Sequence, residues 1–414
     1  MHLPHETIAT AVEVAALNLL VDLFRLPKEE WAVASTSGSG SGSGGGVFTT
    51  GATASNILGL GLGREYVLRQ ACERKGKEGL SVGEHGLIEV MAAAGARRVQ
   101  ILSTMPHSSI AKAASVLGIG RANVVSVAKA EDPLEIDLDV LKTEVDREGV
   151  LSILAISAGE VNTGRFATGS LDTMNEVRRI CDEAGVWIHV DGAFGLFGRM
   201  LLDRGAEGEY EKIVDGVEGL ELADSITGDG HKLLNVPYDC GFFFTRHKDL
   251  SGQVFGNGNA AYLSAGAGSG DGIQSPINLG LENSKRFRAL PAYASLVAYG
   301  REGYVDMLKR QIGLARRVTR WLLDRAEYEV LPQGIDRDET MKKTFIVVLF
   351  RARDEKLNQG LVKKINASGK MVVTGTVWDA RPAARIAVSN WRADVERDGE
   401  LIEEVLSDVV EKED

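Results

Sequence analysis

Cysteine is scarce in this chain: three in 414 residues, Cys72, Cys181 and Cys240, far apart and with no CxxC spacing. That argues against a disulfide framework and a cysteine-based metal site, and it points to a reduced, cytoplasmic setting. Long apolar runs are missing too. The N-terminal stretch from Ile8 to Leu26 is broken by Glu13, Asp22 and Arg25, and it has neither a basic leading segment nor a small-residue cleavage site. It reads as an amphipathic helix rather than a signal or membrane span. Positive charge is in deficit, with 47 Lys and Arg against 58 Asp and Glu, a net −11. Such a surface argues against nucleic acid or an anionic membrane as partner, but not against a local pocket for a phosphate. Neither an HExxH zinc motif nor a serine nucleophile elbow occurs.

What is present is an alternation of short β-branched runs and helical stretches. Strands are expected at Arg98–Leu102, Asn123–Val127, Leu151–Ile156, Val186–Val190, Asp224–Thr227 and Cys240–Thr245. Helices are expected near Gly83–Ala94, Ser108–Leu117, Leu138–Arg147 and Leu171–Ala184. This pattern predicts an α/β domain with a mainly parallel sheet and crossover helices. The expected organisation is an N-terminal helix over 1–34, a Ser/Gly linker over 35–46, a large domain over 47–300 and a small α+β domain over 301–414. The linker, STSGSGSGSGGG, has nothing to bury, and the Gly/Ala/Asn/Ser-rich 254–272 reads as a long functional loop. In the small domain, strands are expected at Thr344–Phe350, Met371–Val377 and Arg385–Ser389.

Two residues carry the chemistry. Val186–Val190 delivers Asp191 at its C-terminal end, and the next strand delivers Lys232 in the loop Asp229-Gly230-His231-Lys232. A lysine can condense with an aldehyde, and a carboxylate can keep a pyridine nitrogen protonated; pyridoxal phosphate requires both. Gly51, Ala52 and Thr53 open a helix, where N–H groups and the helix dipole favour an anion. Ala193 is small enough for a flat ring to lie against, and His107 can stack on one or merely cap a helix. His189 is expected to be a core histidine with a satisfied ring. The GLGLG run at 59–63 lies within the expected helix, so close helix packing accounts for it better than a dinucleotide fingerprint does.

With these residues assembled, the chain resembles the group II pyridoxal-phosphate-dependent decarboxylases, the family of aromatic-L-amino-acid and glutamate decarboxylases. The resemblance is carried by GVFTTGATASN (46–56), MPHSS around His107, GEVNTG (159–164), WIHVDGAFG (187–195), DGHKLLNVPYDCG (229–241) and SKRFRAL (284–290). It implies a fold-type I transferase-like architecture with a seven-stranded sheet, a homodimer and an amino-acid substrate. By the same resemblance Lys232 holds the cofactor covalently, Asp191 meets the ring nitrogen and His107 stacks on the ring. Gly51, Ala52 and Thr53 hold the phosphate with His231 nearby, and Asn162 contacts the cofactor's edge. Tyr262, in the 254–272 loop, matches the tyrosine that reprotonates the substrate carbon after carbon dioxide leaves. The implied reaction is decarboxylation of an L-amino acid; a carbon–carbon lyase of the same fold and a catalytically silent cofactor-binding homologue are the alternatives. Members of the family usually carry an N-terminal segment that forms an intertwined dimer element, and this chain is expected to begin after it.

Overall fold

The computed structural model describes residues 7–33, 43–203, 208–256 and 278–411. Seven strands form the central sheet: β1 (Gly45–Thr49), β2 (Arg98–Ser103), β3 (Val124–Ser126), β4 (Val150–Ser157), β5 (Trp187–Asp191), β6 (Ser225–Asp229) and β7 (Gly241–Thr245), in the order β1-β7-β6-β5-β4-β2-β3. From β3 to β6 neighbouring strands are parallel; β7 and β1 are antiparallel. The mainly parallel sheet expected from the sequence therefore has one reversed strand, β7, while the edge strand β1 runs the same way as the rest. Only Gly230 to Cys240 separate β6 from β7, and a parallel return needs a crossover of a dozen or more residues.

The sheet is buried on both faces. Along β4, Ile153 and Ala155 join one hydrophobic cluster while Leu154 and Ile156 join the other. On β5, Trp187 faces the first and Ile188 and Val190 the second. Such strands read as unbroken apolar runs, which is why their positions were legible. The smaller sheet, β8 (Tyr328–Leu331), β9 (Val347–Ala352), β10 (Thr374–Trp378) and β11 (Arg381–Ala387), is antiparallel in the order β10-β11-β9-β8. Helices Glu355–Ala367 and Val395–Glu411 belong to the same C-terminal part, which is α+β as expected. Strand β8 and the helix Arg337–Lys343 were not anticipated.

Several expectations need correction. The end of the linker is ordered, for Gly45 and Gly46 begin β1 and pair with Thr245 and Phe244. Strand pairing uses backbone groups, so glycines can take part without a side chain to bury. At Gly46 a Cβ would lie 3.0 Å from the Phe244 ring. The helix expected over Gly83–Ala94 is two, Val82–His85 and Leu87–Ala94, because Gly86 at φ 78° breaks the path. Lys232 sits on a single helical turn, Gly230–Leu233, rather than in an open loop. The N-terminal helix spans Ala9–Leu23, and its buried Glu13 accepts from Phe48 N (3.0 Å) and pairs with Lys285. No helix among the described residues is long and apolar enough to cross a membrane.

The helix Ala52–Glu73 lies directly on β5, and its glycines make that possible. A Cβ on Gly59 would stand 2.2 Å from His189 Nδ1, and one on Gly63 would stand 2.9 Å from Trp187 Cδ1. The GLGLG run is thus a packing surface, as expected. His189 is a satisfied core histidine: its ring is fully buried, with Ser225 Oγ and Asn56 Oδ1 each 2.8 Å away. Burial lowers its pKa to about 3. Two predictions follow from this contact. Gly59→Ala should cost about 1–3 kcal/mol of stability by overpacking the histidine, read as a lower urea midpoint; an unchanged midpoint would refute the packing argument. For His189, the unfolded chain (pKa about 6.5) binds a proton that the folded one refuses until about pH 3. Stability should therefore fall as pH drops below about 6.5, with a His189 contribution approaching 1.4 kcal/mol per pH unit, roughly. Unfolding free energies at pH 6.5 and 5.5 test this: His189→Gln should show the shallower slope, and equal slopes would count against a neutral core histidine.

Candidate active site

The C-terminal ends of β4, β5 and β6 meet the start of the 52–73 helix around a cavity of about 290 Å³. Register places Asp191 between Ser157 of β4 and Thr227 of β6. The cavity wall includes Gly51, Ala52, Thr53, His107, Asp191, Ala193, His231 and Lys232. Eight of the ten residues singled out from the sequence are therefore gathered at one place. Asn162 is not among the wall residues. Its backbone N–H and its Nδ2 both donate to Glu160 Oε1 at 3.0 Å, so the side chain is consumed in closing its own turn, and Gly159 and Val161 form the wall there. Tyr262 lies outside the described residues, as does most of the 254–272 loop.

Asp191 is 8% exposed. Its Oδ2 accepts from Asn56 Nδ2 at 2.8 Å and its Oδ1 from Ala193 N at 3.3 Å. A carboxylate taken out of water needs such donors to remain ionised. Lys232 Nζ lies 3.1 Å from Asp229 Oδ2 and 4.0 Å from the centre of the Phe194 ring, so a carboxylate and an aromatic face both hold the ammonium. Condensation with an aldehyde needs the neutral amine, and Asp229 is the group that must release it. His231 Nδ1 donates to the Cys240 carbonyl (2.8 Å), and its ring rests 4.5 Å from that of Tyr238. His107 is exposed and is also the N-cap of the helix Ser108–Val116: its Nδ1 accepts from Ser109 N at 3.2 Å. The capping role and a place in the cavity wall are compatible.

Sequence reasoning missed three residues. Asp229 ends β6, and besides pairing with Lys232 it accepts from Ala52 N at 2.7 Å, occupying one N–H of the helix start. Its position three before the lysine was the available signal. Asn56, inside the quoted GATASN motif, binds Asp191 from one helical turn further along. Arg385 of β11 donates to the Val161 carbonyl, and its guanidinium lies 5.9 Å from the Phe194 ring centre. Nothing in the sequence linked it to the cavity, because β11 reaches the site only through the tertiary fold.

The donor set fits pyridoxal phosphate. A helix start suits its phosphate, an amine suits its aldehyde and a buried carboxylate suits its ring nitrogen, all on the wall of one cavity of cofactor size.

Comparison with known proteins agrees. The family model described as the pyridoxal-dependent decarboxylase conserved domain matches residues 4–351. An L-2,4-diaminobutyrate decarboxylase of Acinetobacter baumannii is 27% identical over 337 residues, covering 78% of this chain and 60% of that protein. An aromatic-L-amino-acid decarboxylase of Bacillus atrophaeus is 25% identical over 334 residues, covering 77% of this chain and 66% of that protein. The chain thus spans less than two thirds of the length of these curated relatives. The crystal structure of Oryza sativa TDC with PLP and tryptamine superposes with a TM-score of 0.75 at 21% identity, covering 98% of this chain and 76% of that one. The glutamate decarboxylase domain from Vibrio parahaemolyticus gives 0.71 at 22% identity, covering 97% and 73%. At these identities the superpositions establish the fold, which is the fold-type I α/β arrangement. The match over most of its length places the chain in the pyridoxal-dependent decarboxylase family.

Proposed function

We propose that this chain decarboxylates an L-amino acid to the corresponding amine, using pyridoxal phosphate. The observation that carries the reading is the convergence of Lys232, Asp191 and the 52–73 helix start on one cavity. When bound, the cofactor supplies an electron sink for the bond that breaks. Lys232 would hold the cofactor through its aldehyde carbon. Asp191 would pair with the cofactor's ring nitrogen, whose proton lets the ring take up negative charge. Gly51, Ala52 and Thr53 anchor the phosphate, and His107 covers the ring. Arg385, beside the cavity residues Phe194 and Val161, is a candidate partner for a substrate carboxylate. Tyr262 returns a proton to Cα.

The working unit is proposed to be a homodimer in the cytoplasm. Phe287, Leu290 and Val297 are 37%, 48% and 62% exposed on and just before the helix Ala289–Leu323, a stripe that a second copy could cover. The free, buried Cys72, Cys181 and Cys240 suit a reducing compartment.

Two experiments decide these points. With cofactor added, the wild type should release carbon dioxide from at least one member of a panel of amino acids that includes diaminobutyrate. Lys232→Ala should lower that rate by roughly 10³-fold or more and abolish the visible absorbance of lysine-bound cofactor. If the loaded wild type turns over none of the panel, the decarboxylase reading fails. Light scattering should give twice 44.5 kDa, falling towards 44.5 kDa in Leu290→Asp; a monomeric wild type would remove the dimer.

A further inference from the structure

Trp187 starts a chain of hydrogen bonds whose direction is fixed. An indole N–H can only donate, and Trp187 Nε1 reaches Ser225 Oγ at 3.1 Å. The Ser225 hydroxyl proton is then free to point at His189 Nδ1 (2.8 Å), which makes Nδ1 an acceptor and leaves the ring proton on Nε2. Nε2 in turn donates to Asn56 Oδ1 at 2.8 Å. That orients the amide, so Nδ2 faces Asp191 Oδ2 at 2.8 Å. The far end gives the same answer independently, because a carboxylate oxygen can only accept. Trp187, Ser225, His189 and Asn56 are all fully buried, which leaves no room for water to reverse the order.

Asn56 also branches. The second N–H of Nδ2 donates to Ser109 Oγ at 2.9 Å. The Ser109 hydroxyl then donates to His107 Nδ1 at 2.7 Å, and the Ser109 backbone N–H points at the same nitrogen. With two donors on Nδ1, the neutral His107 ring carries its proton on Nε2. The position demands one acceptor, for His189, and two donors, for Asp191 and Ser109. An amide supplies that set; a carboxylate has no donor and a hydroxyl has only one.

We propose that Asn56 is a positioning residue whose single amide holds Asp191 as a hydrogen-bonded carboxylate and turns the Ser109 hydroxyl towards His107, whose Nε2–H tautomer the Ser109 backbone N–H also enforces. His107 then offers the cavity a hydrogen-bond donor, which favours an acceptor group on whatever lies against it. The affinity arm of the test below rests on the cofactor reading; the tautomer arm does not.

The tautomer is read by ¹⁵N spectroscopy of histidine-labelled, cofactor-free protein at a pH where the ring is neutral, with the His107 signals identified by their loss in His107→Gln. The wild type should show a protonated Nε2 and a bare Nδ1. Asn56→Asp, of nearly equal size, and Asn56→Leu should both keep that pattern, because the Ser109 backbone N–H remains on Nδ1, but should shift the Nδ1 signal as the Ser109 hydroxyl loses its orientation. Each should also weaken pyridoxal phosphate binding on the order of 10- to 100-fold, measured by absorbance titration, while the melting temperature of the cofactor-free protein reports whether the variant is folded. A merely structural Asn56 would lower the melting temperature without moving the His107 Nδ1 signal. The proposal is overturned by a wild-type His107 with its proton on Nδ1, or by a folded variant that keeps either the wild-type Nδ1 signal or wild-type affinity. A wild type that binds no cofactor would sink the cofactor reading and leave the tautomer result standing.

Discussion

A carboxylate at the end of a strand buried on both faces is the constraint on which the rest of this structure depends. Asp191 closes β5, in the middle of the sheet, where an ionised group without partners would cost several kcal/mol, roughly, and would protonate instead. Its donors must come from elements that themselves lie against the sheet. One is its own chain at Ala193, and the other is Asn56 on the 52–73 helix. For Asn56 to arrive, that helix has to approach β5 more closely than side chains normally allow, and Gly59 and Gly63 permit the approach. The polar core beneath, from Trp187 through Ser225 and His189, then has no unpaired member. Satisfying one buried charge has specified a helix surface, a histidine tautomer and a serine.

What could be read from the sequence follows the same physical lines. Strands β2, β4, β5, β6 and β7 were legible because both faces are buried, so their apolar runs are continuous and end abruptly. Lys232 and Asp191 were legible as polar exceptions at the ends of such runs. Strand β1 was not, because its first residues are glycines in a low-complexity tract; its identity comes from backbone pairing with β7, which leaves no mark on composition. Gly86 split an expected helix for a reason visible only in its φ. Asn162 was carried over by resemblance, and the local turn around Glu160 claimed its side chain. Asp229, Asn56 and Arg385 are ordinary polar residues at their own positions; only the fold brings Asp229 to the cavity wall and sets Asn56 and Arg385 against residues that line it.

Asp229 gives the site its electrostatic balance. Its carboxylate accepts from the buried Ala52 N–H at the helix start and pairs with Lys232, so one residue touches both the helix start and the lysine.

The helix from Ala52 to Glu73 ties the two ends of the cavity into one rigid body. Its first residues line the cavity, and Asn56, four residues on from Ala52, holds the Asp191 carboxylate. At 1.5 Å per residue these functions are separated by about 6 Å along the axis, the span of a substituted pyridine rather than of a dinucleotide. A glycine-rich helix start could suggest either ligand from sequence alone. The short rise between the helix start and Asn56 favours the smaller ligand, and it does so through a helix too regular to stretch.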